Sequence, residues 1–324
     1  MIQDIKKRIL DGGTITPEEA NKIAQWHDIN ELCDAANEIR KHFQGDVMDT
    51  CSIINARSGL CGEDCKWCSQ SMKFNTGVEK YSIIDTDQLL TLAKKNDEYG
   101  VQRFSMVTSG RKVSLKEADK FCEDYKKLGE TTNLFLCASM GLVDKPTMQK
   151  LRDAGVQRYH CNMETASKFF PTLCSSHTPE DKRKTIQYAK EVGMSVCSGG
   201  IIGMGESMEQ RIEFAFELRD MGVDSVPINI LNPIKGTALE HTPLIKDDDI
   251  IRTVAIFRFI MPNVVIRFAG GRARLPKETV KRIMQGGMNG TMIGDLLTTT
   301  GNNVAEDFKL FTECGFTTVK NEKK

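Results

Sequence analysis

From about residue 47 onward, short β-rich runs alternate with longer amphipathic stretches, and few architectures accept that order. Eight strand candidates recur: Met48 to Asn55, Arg103 to Val107, Leu134 to Ser139, Arg158 to Met163, Ser195 to Ile202, Ser225 to Ile230, Val264 to Phe268 and Thr291 to Gly294. Between them, helical spacing of apolar residues runs over stretches such as Asp87 to Tyr99, Leu115 to Leu128, Pro179 to Val192, Met208 to Met221, Asp247 to Phe259 and Lys277 to Met284. Repeated βα units set parallel strands side by side with helices outside. Eight such units in a chain of 324 residues predict a closed α/β fold, a (β/α)8 TIM barrel, rather than an open doubly wound sheet.

The barrel is expected over residues 46–319. Residues 1–45 read as an N-terminal helical extension, with Thr16 as an N-cap, Pro17 at the first helical position and Glu18 and Glu19 in the first turn. Residues 320–324 read as a disordered tail.

Lys plus Arg equals Asp plus Glu at 44 each, so no net field draws in nucleic acid or an anionic membrane. Met1 to Leu10 carries charges among its apolar residues, and no apolar run approaches the roughly 20 residues that span a bilayer. A small-molecule substrate and a cytoplasmic location are the expectation. In that compartment eleven cysteines do not read as a disulfide framework, and ligation of a metal or cluster is the better explanation for some of them.

Three of them, Cys61, Cys65 and Cys68, lie within eight residues directly after the first strand candidate. A barrel's active site sits at the C-terminal ends of its strands, so chain order and chemistry agree. Three thiolates in one short loop can hold three irons of a cubane cluster and leave the fourth open to a chelating ligand. Zinc sites more often pair two cysteines with a second such pair elsewhere, and the sequence has no second pair.

The spacing of these three, with Trp67 before the last, is the signature of radical S-adenosylmethionine enzymes. The sequence resembles one family of them, biotin synthase, through the runs Ser58 to Gln70, Val196 to Glu206, Ser225 to Asn229, Ile266 to Arg272 and Gly294 to Thr299. Only the first run is generic to the superfamily. The resemblance implies that Cys61, Cys65 and Cys68 ligate a [4Fe-4S] cluster whose open iron binds S-adenosylmethionine. Reductive cleavage would give a 5'-deoxyadenosyl radical that removes hydrogen from two saturated carbons of dethiobiotin. Sulfur from an auxiliary iron-sulfur cluster would then close the ring of biotin. A low-potential electron donor such as flavodoxin or ferredoxin, and a homodimer, are implied likewise.

Carried over residue by residue, the resemblance puts Trp67 and Ile201 against adenine. Thr108 and Ser109 fall near the methionine amino group, Asn162 and Glu164 at the ribose, and Lys182 near the cofactor carboxylate. Gly199 and Gly200 would let the backbone approach the cofactor. Asn162, Asn229 and His160 would meet the ureido ring of dethiobiotin.

One position departs from the family. The second cluster of its better-known members is held by three strand cysteines and an arginine. This chain keeps Cys137, Cys197 and Arg267 but has Ser105 on the second strand, a poor ligand for iron-sulfur clusters. Cys51 is the candidate replacement: the resemblance puts it where the better-known members have a serine close to the cluster arginine, and strand alternation sets it on one face with Ile53 and Asn55 and sets Cys161 on the opposite face from Asn162. The expectation is a rearranged auxiliary site of Cys51, Cys137 and Cys197, of the 4Fe type rather than [2Fe-2S], with Arg267 beside it. Cys33, Cys122, Cys174 and Cys314 read as small apolar residues. Alternatives left open are another radical S-adenosylmethionine barrel enzyme, of the maturase or mutase type, and an iron-sulfur scaffold protein.

Overall fold

A computed structural model describes residues 1–294 and 304–322. Its core is one sheet of parallel strands: β1 (Asp49–Arg57), β2 (Arg103–Thr108), β3 (Phe135–Ser139), β4 (Arg158–His160), β5 (Ser195–Cys197), β6 (Gly200–Ile202), β7 (Ser225–Ile230), β8 (Val265–Phe268) and β9 (Gly290–Met292). Consecutive strands pair except β5 and β6, β9 returns to β1, and β5 meets β7 at Cys197 and Ser225. The ring is therefore closed, as the eight-unit pattern predicts.

The fifth strand candidate is two short strands, β5 and β6, rather than the single one expected. Ser198 still donates its N–H to Ser225 O at 2.9 Å. Pro227 has no N–H for the next rung, and the ladder resumes only where Gly200 pairs with Ile228. The fourth candidate is also shorter than expected, ending at His160, with Glu164 making an isolated bridge to Gly200.

Strand alternation sorts the side chains. Register partners in a parallel pair share a face, and Ile53, Ser105, Cys137 and Arg158 are partners in succession across β1 to β4. The residues between them, including Phe104, Met106, Leu136, Ala138 and Tyr159, are buried outside the barrel against the helices. A polar interior inside an apolar jacket is the result.

Helices α4 (Thr86–Glu98), α5 (Leu115–Thr131), α6 (Lys145–Asp153), α7 (Pro179–Glu191), α8 (Met208–Asp220), α9 (Asp247–Ile260) and α10 (Lys277–Gln285) form that jacket, and α11 (Val304–Glu313) follows β9. The apolar periodicity does not single out α6. Its start is set by polar chemistry instead, with the Asp144 side chain accepting from Thr147 N at 3.1 Å and a proline in the first turn.

The N-terminal helices are α1 (Ile2–Leu10), α2 (Pro17–Ala24) and α3 (Ile29–Gln44). Thr16 caps α2 in a reciprocal capping box with Glu19. Ile5, Ile9, Ile23, Leu32 and Ile39 are buried in the same apolar core as the barrel's outer face. In the expected tail, residues 323 and 324 lie outside the described residues, whereas the Asn321 amide donates to the carbonyls of Gln102 and Asn133 at 2.7 and 3.0 Å. That part of the chain is docked on the barrel. Of the motif from Gly294 to Thr299, only Gly294 is described.

Candidate active site and cluster sites

One cavity of about 450 Å³ opens at the C-terminal end of the barrel. Cys61, Cys65 and Cys68 line its mouth, while Cys51, Cys197, His160 and Arg267 line its floor. Trp67, Thr108, Ser109, Asn162, Glu164, Lys182, Ile201 and Asn229 stand on its walls.

The three-cysteine loop is held at both ends. Gln70, buried, accepts from Gly59 N through its side chain at 3.0 Å and from Cys61 N through its carbonyl at 3.3 Å. The Ser109 hydroxyl donates to Gly59 O at 2.5 Å. That oxygen therefore braces the loop, and it is the Thr108 hydroxyl that finds no partner among the described residues.

The middle of the loop is tied to the connection after β4. Lys66 N donates to Leu173 O at 3.0 Å, and Asp64 accepts from Ser175 N and Ser176 N, each at 3.0 Å. Hydrogen bonds from Ser175, partly opposed by burial, hold the Asp64 carboxyl far below the usual carboxylate range. Cys174 belongs to this connection and corrects its reading as a plain apolar residue. Its Sγ lies 3.7 Å from Cys65 Sγ and 3.4 Å from His177 Nδ1, and it joins neither apolar core. Glu63 and Asp64 lie within the first family run without an assigned role, and Cys174 and His177 lie outside the runs. The Cys174-Ser175-Ser176-His177 spacing was their one visible sign.

Trp67 and Ile201 pack into one small apolar cluster with Leu173, Met204 and Leu231. Gly199 and Gly200 have a basis in the fold itself. A side chain at Gly199 would strike Pro227 O at 2.0 Å, and one at Gly200 would strike Glu164 O at 2.1 Å. Neighbouring backbone therefore requires glycine at both positions.

Asn162 accepts from Gly199 N through its side chain at 3.2 Å, and its carbonyl accepts from Lys182 Nζ at 2.8 Å. Lys182 is thus buried and engaged with the wall. Burial raises the Glu164 carboxyl to about 7 against the opposing pull of Lys182. Glu164 also has a left-handed backbone, φ 74°. Asn229 bridges strands, donating to Gly200 O at 3.1 Å and accepting from Gly270 N at 2.8 Å. Each of its amide groups keeps capacity for one further hydrogen bond toward the cavity.

At the floor, Cys51 and Cys137 are neighbours whose thiols perturb one another, and Cys51, Cys137 and Cys197 are all enclosed. Arg267 donates to Asp49 O at 3.0 Å, to Thr291 O at 3.1 Å and to Asp49 Oδ1 at 2.5 Å. Burial opposes ionisation of Asp49, yet Arg267 and Arg103 hold its carboxyl below its ordinary range. Arg267 Nε, His160 Nε2 and Ser105 Oγ find no partner among the described residues. Burial lowers the His160 imidazole to about 4, so it is neutral near pH 7. Three soft donors beside unmatched polar atoms suit an iron-sulfur group on this floor.

The pattern of the Radical SAM superfamily matches residues 57–231, and that of the Biotin and Thiamin Synthesis associated domain matches residues 227–317. The chain is 50% identical over 316 residues to a biotin synthase of Porphyromonas gingivalis, covering 98% of this chain and 96% of the relative. It is 48% identical over 311 residues to a biotin synthase of Clostridium botulinum, covering 96% and 97%. Among solved structures, it superposes on methylornithine synthase with a TM-score of 0.84 at 15% identity, covering 98% of both chains. It superposes on an FeFe-hydrogenase maturase of Carboxydothermus hydrogenoformans with a TM-score of 0.82 at 15% identity, covering 98% of this chain and 79% of the other. The structural likenesses show the shared barrel and nothing finer.

Proposed function

Because the chain belongs to the biotin synthase family of radical S-adenosylmethionine enzymes, we propose how its own residues divide the work of converting dethiobiotin to biotin. It is a sulfur-inserting enzyme, and the family carries a [4Fe-4S] cluster and S-adenosylmethionine. Cys61, Cys65 and Cys68 would hold that cluster, and Cys51, Cys137 and Cys197 an auxiliary one of the 4Fe type with Arg267 beside it. When bound, these groups supply a carbon-centred radical and the sulfur atom that is donated.

The observation that carries this reading is one cavity shared by the three-cysteine loop and by Cys51, Cys197 and Arg267. A substrate in its middle would face both ends and be shielded from water by the barrel wall. Trp67 and Ile201 offer an apolar slot for adenine. Asn162 and Glu164 offer acceptors for a ribose diol, with Glu164 readily protonated. Asn229 and neutral His160 offer hydrogen bonds to a ureido ring. Lys182, already donating to Asn162 O, would act near the cofactor carboxylate by charge more than by direct contact.

No helix among the described residues is long and apolar enough to cross a membrane, consistent with a cytoplasmic enzyme. A homodimer, and a flavodoxin or ferredoxin as reductant, complete the proposal. The test is anaerobic reconstitution with iron and sulfide, reduction, and addition of S-adenosylmethionine and dethiobiotin, with products followed by mass spectrometry. Biotin formed with about two 5'-deoxyadenosines, one for each carbon activated, is expected. Cofactor cleavage with no biotin would overturn the auxiliary-site assignment.

A further inference from the structure

Cys174 lies outside both groups of cysteines assigned above, yet the fold sets it against one of them. The connection after β4 runs antiparallel to the three-cysteine loop: Lys66 N donates to Leu173 O at 3.0 Å, and Ser175 N donates to Asp64 Oδ1 at 3.0 Å. Cys65 and Cys174 are the facing residues between these two contacts, and their sulfurs are 3.7 Å apart. We propose that Cys65 and Cys174 form a reversible disulfide under peroxide in the chain that lacks its [4Fe-4S] cluster, and that this bond shields Cys65 from irreversible oxidation.

The backbone arrangement suits the bond. Facing residues of antiparallel segments have Cα atoms about 4.5–5.5 Å apart, within the roughly 4.4–6.8 Å that a disulfide spans. Closing the sulfurs to a bond length of about 2.05 Å is then a matter of side-chain rotation. The two thiols differ in access. Cys65 is partly exposed at the cavity mouth, whereas Cys174 is 5% exposed, so peroxide meets Cys65 first. Cys174 is held beside it, with its Sγ 3.2 Å from Asp64 Oδ1 and 3.4 Å from His177 Nδ1. Asp64 is itself fixed by the backbone N–H groups of Ser175 and Ser176.

The chemistry takes two steps. The Cys65 thiolate attacks one peroxide oxygen and the O–O bond breaks; the sulfur is oxidised to a sulfenic acid, and the other oxygen leaves as hydroxide and takes up a proton to become water. The Cys174 thiolate then attacks the sulfenic sulfur, and the S–S bond forms as the S–O bond breaks and a second water leaves. Two thiols and one hydrogen peroxide thus become one disulfide and two waters. On the reading that Cys65 ligates the [4Fe-4S] cluster, a bound cluster occupies that sulfur and no disulfide forms. Without the cluster, the disulfide stops Cys65 short of the sulfinic acid that thiol reductants do not reverse, and reduction returns the ligand.

The test uses the full chain freed of metal under anaerobic conditions and treated with an equimolar dose of hydrogen peroxide. Remaining thiols are alkylated, and the digested peptides are mapped by mass spectrometry. A crosslinked pair of peptides carrying Cys65 and Cys174, released by dithiothreitol, is expected as the main oxidised form of Cys65. In Cys174→Ser, which nearly keeps side-chain size, Cys65 should pass on to sulfinic and sulfonic acid under repeated doses, with loss of the thiol that dithiothreitol recovers in the native chain. Circular dichroism checks folding, and Cys174→Ala takes the place of the serine variant if that one fails to fold. Cys65 joined instead to Cys61 or Cys68, or oxidised in the native chain while Cys174 stays free, would overturn the proposal. So would a Cys65 thiol that is recovered as fully in the Cys174 variant as in the native chain. Iron and sulfide content after reconstitution tests the cluster reading separately. A Cys65→Ala chain that still assembled the full [4Fe-4S] cluster would refute that assignment and leave the crosslink of the native chain standing.

Discussion

Replacing Cys51 with serine nearly preserves side-chain volume and removes a soft thiolate, so it isolates ligation from packing. Cys51 is buried beside Cys137 on the barrel floor, with Ser105 on the strand between them. Reconstituted Cys51→Ser should lose the iron of one cluster and all biotin formation, while still cleaving S-adenosylmethionine. Unchanged iron content would mean that Cys137 and Cys197 suffice. Glu164 gives a second prediction at this scale. Its carboxyl is raised to about 7 from an ordinary 4.5, so the folded chain binds a proton more tightly there than the unfolded chain does. The stability this contributes is complete below pH 4.5 and is lost as pH rises through about 7. Glu164→Gln should therefore gain over the native chain as pH rises from 5 toward 8, read as the difference between their urea midpoints. A constant difference across that range would show that the carboxyl is not enclosed.

Between elements, one enclosed ion pair helps to hold the described part of the chain after β9 to the barrel. Arg272 donates to Asp307 on α11 at 2.6 Å, with 5% and 1% exposure. Removing one partner leaves the other charged and buried, so Arg272→Ala should destabilise the fold by about 3–5 kcal/mol. A denaturant midpoint shifted by less than a fifth of that would show water reaching the pair. Helix ends act on a smaller scale. Ser114 and Glu117 form a capping box at the start of α5, and Glu117 also accepts from Arg57 of β1 at 2.7 Å. Ser114→Ala should cost about 1 kcal/mol, measured by urea unfolding.

Over the whole molecule, the N-terminal helices and the barrel share one core. Every residue of α9 from Thr253 to Ile260 is buried, and α2 and α3 supply part of its cover. A chain starting at residue 46 would expose that apolar surface. It should express as insoluble protein, and a soluble, cooperatively folding fragment would refute the shared core. The extension was legible in the sequence because Thr16-Pro17-Glu18-Glu19 is a local capping signal. Its role as a cover for α9 was not, since nothing local links residues more than 200 positions apart.

The sequence by itself determined the barrel, the three-cysteine loop at the end of its first strand and the family. Strand period, helix period and ligand spacing are short-range properties written in consecutive residues. Strand alternation likewise put Cys51 on the inner face. Only the tertiary structure decided what Cys51 meets there, because its contact with Cys137 depends on register around a closed ring. It also gave Gly199 and Gly200 to their neighbours Pro227 and Glu164, and Ser109 to the cluster loop. Cys174 makes the contrast plainest. In sequence it is a lone cysteine in a loop, more than 100 residues from Cys65, and the two sulfurs meet only because β1 and β4 deliver their loops to the same end of the barrel.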